Sequence, residues 1–173
     1  MSMLRCVFHG LIIAALQLAG FAVAAETSGA RCSGAEYGQF DFWLGTWSVT
    51  NQGKVAGSNR IEKVLDGCAL LETWRSSGNH RGHSLTFYDS ARAIWHQTWI
   101  DVGGEPLYLE GRFEDGRMRL EGTRPAGNEG ASILHRIEWT PMSDGRVRQH
   151  WRSSEDGGRT WAEVFDGYYT KSP

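Results

Sequence analysis

The amino-acid sequence predicts an all-β protein, an antiparallel up-and-down barrel of about ten strands. Three observations predict it. Short runs rich in β-branched and aromatic residues recur at near-regular spacing, turn clusters containing Gly, Asp and Asn separate them, and no stretch carries an apolar period of helical length. Asp-Gly and Gly-Gly pairs supply the positive backbone angles that tight hairpins require, so each run is read as joined to the next by a short connection.

The chain opens outside this pattern. Arg5 precedes an uncharged, mostly apolar run from Cys6 to Ala25 that ends in Ala22-Val23-Ala24-Ala25, the layout of a secretory signal peptide over residues 1–25. Gln17 and Gly20 interrupt the run and no basic stop-transfer cluster follows, which disfavours a membrane span. Phe21 rather than cysteine follows Leu18-Ala19-Gly20, so no lipid anchor is expected. The protein is therefore expected in the periplasm or secreted, without a membrane anchor after cleavage.

Residues 26–173 would form a single mature domain of 148 residues, enough to bury a real core. Loss of Arg5 takes the formal charge from −2 to −3, and the basic residues are scattered, so nucleic acid is not an expected partner. Two cysteines remain, Cys32 and Cys68. In an oxidising compartment they are expected to form a disulfide, the alternative being two free buried thiols. No Cys-x-x-Cys exists to suggest redox or zinc chemistry.

In chain order the strands fall near 46–51, 55–65, 69–76, 82–89 and 93–101, then 106–113, 117–124, 131–140, 145–153 and 160–170. The turns between them include Asn51-Gln52-Gly53-Lys54, Asp66-Gly67, Asp89-Ser90-Ala91, Glu114-Asp115-Gly116 and Ser143-Asp144-Gly145. Ten sequential antiparallel strands must close or leave two long exposed edges, and closure removes the edges. A β-propeller competes, yet 148 residues would make only about three or four blades, and no blade-length repeat is present.

One motif tempts the propeller reading. From Ser154 the chain runs S-x-D-x-G-x-T-W, which matches the Asp-box hairpin of sialidase blades. A single copy is expected to be a hairpin device, with the Asp156 carboxylate bonding turn amides and Trp161 packing beneath. No arginine triad or tyrosine nucleophile accompanies it.

A second motif, Phe40-Asp41-Phe42-Trp43-Leu44-Gly45-Thr46-Trp47, places an aromatic turn before Gly-x-Trp at the first strand. This resembles the calycin superfamily of lipocalin-like ligand-binding barrels, in which such a segment plugs one barrel end. Lack of a helix between the first two strands separates the chain from fatty-acid-binding proteins, and lack of a long C-terminal helix separates it from lipocalins proper. Ten strands resemble the nitrobindin-like branch. From FDFWLGTW through GCALLETW and WHQTWID to VRQHW and FDGYY, the chain also resembles an uncharacterised bacterial family of exported proteins.

What such a barrel could hold follows from strand parity, because inward and outward residues alternate. On the ninth strand Arg146, Arg148, His150 and Arg152 share a wet face, so Val147, Gln149, Trp151 and Ser153 point inward. The fifth directs Trp95, Gln97, Trp99 and Asp101 inward. The third offers Leu70, Glu72 and Trp74, and the second Asn59 and Ile61. The parity of the fourth and tenth strands stays open. The candidate ligand-binding set is Asn59, Glu72, Trp74, Trp95, Gln97, Trp99, Asp101, Gln149 and Trp151.

Amides and carboxylates among tryptophans suit a small polar or ring-shaped molecule, stacked on ring faces and oriented by amides. The other reading is a core whose polar groups satisfy one another. A barrel enzyme would use Glu72 or Asp101 as general acid or base, since burial raises a carboxyl pKa toward useful values. A third class is a protein-interaction module acting through its outer surface. The nitrobindin resemblance implies haem, and only His135, on an apolar inward face with Ile133, Ile137 and Trp139, is placed to ligate it. The histidine-bearing C-terminal segment of nitrobindins has no match in residues 165–173, and no two histidines share a metal-ligand spacing, so no cofactor or metal is expected.

Overall fold

The computed structural model describes residues 32–127 and 130–172. The expected signal peptide, residues 1–25, lies outside the described residues. Ten strands follow in order: β1 (Gly45–Asn51), β2 (Lys54–Val64), β3 (Ala69–Ser76), β4 (Arg81–Asp89) and β5 (Ile94–Asp101), then β6 (Leu107–Glu114), β7 (Arg117–Pro125), β8 (Ser132–Pro141), β9 (Val147–Ser154) and β10 (Ala162–Lys171). Each pairs antiparallel with the next, and β10 pairs with β1 from Trp47 opposite Lys171 to Asn51 opposite Gly167, closing the barrel. The closed ten-stranded antiparallel barrel is compatible with a calycin-like fold.

Strand ends differ from expectation where local geometry stops the ladder. β2 ends at Val64 because Leu65 and Asp66 both turn left-handed, at φ 53° and 54°. Arg146 belongs to the β8–β9 turn, where its backbone carbonyl accepts from Met142 and its side chain bonds Asp144. The start of β10 moves to Ala162 because Thr160 and Trp161 belong to the preceding hairpin. There Asp156 Oδ1 accepts from the amides of Arg159 and Thr160, both at 2.9 Å, and Ser154 Oγ accepts from the Gly158 amide at 2.8 Å. Trp161 donates to the Gly158 carbonyl at 3.0 Å and carries the Arg136 guanidinium 4.2 Å from its ring centre. Hydrogen bonds to the Asp156 carboxylate, first from the Thr160 hydroxyl and amide, then from the Ser154 hydroxyl and the Arg159 amide, hold its pKa down at about 2. The Asp-box is thus a hairpin device.

Hairpins alternate between the two barrel ends, so the chain builds a closed end and a mouth. At the closed end, short 3-10 turns at Ala35–Gly38 and Asp41–Trp43 carry Phe40 and Trp43 into the barrel. Phe40 stacks on Trp43 at 4.9 Å between ring centres, and both rings meet Trp139 at 5.3 Å. Trp47 Nε1 donates to the Trp43 carbonyl at 2.9 Å, tying the plug to β1. Phe40, Trp43 and Trp47 are fully buried. Gly45, between plug and strand, sits at φ 125°, a backbone conformation that other residues rarely adopt, so the chain uses glycine to enter β1 there. Cys32 and Cys68 form a disulfide that ties the plug arm to the β2–β3 connection.

Candidate functional site

The mouth half of the barrel is hollow. A cavity of about 460 Å3 opens there, with Glu72, Gln97, Gln149 and Tyr169 at its buried base. Trp74, Trp99, Trp151 and Phe165, all partly buried, form its upper wall, and His80 and Asp101 stand at its rim. Two wall rings lie over glycines: a Cβ on Gly82 would collide with Trp99, and one on Gly167 with Phe165. The missing side chains let these rings lie against the wall rather than fill the space.

Polar residues at the base bond one another from strand to strand, the Tyr169–Asn59 contact reaching over β1. Tyr169 Oη donates to Gln149 Oε1 and lies 3.4 Å from Asn59 Nδ2, which donates to Glu72 Oε1 at 2.7 Å. Ser84 Oγ donates to Glu72 Oε2 at 2.6 Å. The chain of bonds crosses β9, β10, β2, β3 and β4. On β5, Gln97 Nε2 donates to Thr86 Oγ1 at 3.0 Å. Both readings left open by the sequence therefore meet here: the polar groups satisfy one another, and a hollow lies above them.

Burial raises the Glu72 pKa above the ordinary glutamate value of 4.5, opposed by the hydrogen bonds from Ser84 and Asn59. Burial, then the nearby Glu72, pushes the Tyr169 phenol well above its ordinary value. The Glu72 shift has a measurable sign. Its neutral form is favoured on folding, so its contribution to stability is fully present below about 4.5 and is lost as pH rises through the raised folded value. In Glu72→Gln the amide can accept from Asn59 and donate to Ser84. Thermal unfolding of both proteins across pH should therefore show the variant gaining on the parent as pH rises from acid to neutral. A constant difference would contradict it.

Seven of the nine candidate residues line the cavity: Glu72, Trp74, Gln97, Trp99, Asp101, Gln149 and Trp151. Asn59 lies behind Glu72 as its hydrogen-bond donor. Trp95 has the expected inward parity but sits deeper, in the closed end, where its indole donates to Gln39 Oε1 at 3.0 Å and packs against Phe40. Four strand positions above it at roughly 3.3 Å each, Trp99 reaches the cavity instead. Asp101 is at the rim, 3.3 Å from His80. Trp74, Gln97 and Trp151 face the hollow rather than packing shut, as an interaction module would have them.

No protein-family model matches the chain, and no curated protein matches it. The site therefore rests on its own geometry.

Sequence reasoning missed Tyr169, Phe165, Ser84 and Thr86. The last two lie on β4, whose polarity is reversed: Ser84 and Thr86 are buried while Leu85 and Phe87 face outward at 38% and 37% exposure. His135, the one histidine placed for haem, accepts at Nδ1 from Trp151 Nε1 at 3.0 Å, behind the cavity wall. Its pKa is lowered by burial and by Arg124. Among the described residues no group of three or more His, Cys, Asp and Glu is arranged to hold a metal ion, and no helix is long and apolar enough to cross a membrane.

Proposed function

We propose that the protein is an exported small-molecule-binding barrel of the nitrobindin-like type, holding a polar or ring-shaped ligand. The observation that carries this is the cavity of about 460 Å3 with aromatic walls over a buried polar base, a size and lining suited to one small ligand. Ten strands and the FDFWLGTW plug support the branch, and the Cys32–Cys68 disulfide supports an oxidising compartment outside the cytoplasm.

The test is a native mass spectrum of residues 26–173 purified from the periplasm without refolding. A small-molecule mass that departs on denaturation is expected, and haem would reveal itself by its own mass. Ala56→Trp, at the half-buried mouth, should remove the bound mass while leaving the unfolding temperature close to that of the parent. A bare chain that also shows no thermal shift with any member of a small-molecule library would overturn the reading.

One observation favours a second reading. Glu72 faces the cavity with its pKa raised by burial, as a general acid or base requires. In a barrel enzyme Glu72→Gln would lose about 10²-fold or more in turnover, whereas in a binding protein it would lose affinity worth one hydrogen bond.

A further inference from the structure

The geometry points to a protonated organic amine with a flat apolar body as the ligand of the cavity. This rests on the ligand-binding reading and adds the sign of the charge. Four aromatic rings, Trp74, Trp99, Trp151 and Phe165, surround the space, and among the described residues lining it there is no lysine or arginine. The acidic groups that face it are the carboxyls of Glu72 at the base and Asp101 at the rim, with His80 beside the latter.

Open acceptors stand at the base beside the open donors of Gln149, whose Oε1 is taken by Tyr169. Gln97 is 2% exposed and commits its amide nitrogen to Thr86, which leaves Oε1 as an acceptor on the cavity side with no partner among the described residues. Each Glu72 oxygen accepts one bond, from Asn59 or from Ser84, and retains a second lone pair. A ligand that donates N–H groups to these oxygens while its body lies against indole faces satisfies every one of them, and a cation over tryptophan gains a further attraction from the ring quadrupole. An anion would meet two carboxyl groups with no lysine or arginine in the lining to compensate it, and burying it there is costly. An uncharged apolar ring would leave Gln97 Oε1 and Glu72 facing hydrocarbon.

The test uses three probes of one shape, phenethylammonium, 2-phenylethanol and 3-phenylpropionate, titrated into residues 26–173 with tryptophan fluorescence and calorimetry as readouts. Phenethylammonium should bind tightest. Glu72→Gln should weaken it by roughly 10-fold to 100-fold, the worth of a hydrogen bond to a charged group, while leaving the alcohol nearly unchanged. Asp101→Asn, at the solvent-reached rim, should weaken the amine less and keeps the test decisive if the buried variant folds poorly. Equal or tighter binding of the alcohol or the carboxylate would overturn the charge assignment and leave the binding reading standing. No binding of any probe at millimolar concentration, with a bare native mass spectrum, would overturn both.

Discussion

Trp43→Ala is expected to lower the stability of the barrel by about 3–5 kcal/mol, the usual cost of truncating a fully buried tryptophan. Trp43 stacks on Phe40, meets Trp139 at 5.3 Å between ring centres and approaches Tyr169 at 6.4 Å. Its removal leaves a void that the barrel wall cannot collapse to fill, because the strands are held in a closed ladder. For a chain of this length the loss corresponds to about 10–15 °C in unfolding temperature, readable by circular dichroism. The cavity lies toward the other end, so probe affinity measured well below that temperature should persist. A loss under about 1 kcal/mol would mean that the plug does not carry the closed end.

Cys68→Ser should cost about 4 kcal/mol, from the entropy of a chain no longer closed over a 36-residue separation. The disulfide acts mainly on the unfolded ensemble, so the expected signature is a lower urea midpoint for the serine variant and, equally, for the parent in reductant. The bridge joins the arm before the plug to the β2–β3 connection. Its loss should therefore compound weakly, not additively, with Trp43→Ala, since both release the same segment. An unchanged midpoint on reduction would refute the assignment of a stabilising role.

Much of the architecture was legible because its signals are local. Turn chemistry such as Glu114-Asp115-Gly116 and Ser143-Asp144-Gly145 marks where one strand stops and the next begins, and ten short antiparallel strands leave closure as the solution without edges. The site was legible where charge labels the outside: the arginines of β9 orient Gln149 and Trp151 without ambiguity. It failed where that label is missing or misleading. On β4 the apolar Leu85 and Phe87 face outward so that Ser84 and Thr86 can reach Glu72 and Gln97, an inversion that depends on neighbours far along the chain. On β10 a register shift between Glu163 and Phe165 breaks the alternation that would have placed Phe165 and Tyr169. Parity also carries no depth, which is why Trp95 and Trp99 look alike in sequence and occupy opposite halves of the barrel.

The alternation of hairpins between the two ends divides what the molecule can change from what it must keep. Five connections, those following β1, β3, β5, β7 and β9, meet at the mouth, while the plug, the disulfide and the remaining four lie at the other pole. A loop lengthened or recoloured at the mouth disturbs neither the aromatic plug nor the ladder that closes the wall. The fold thus separates a fixed foundation from an adjustable entrance, so that insertions confined to a single pole would change what the barrel admits and leave its closure intact.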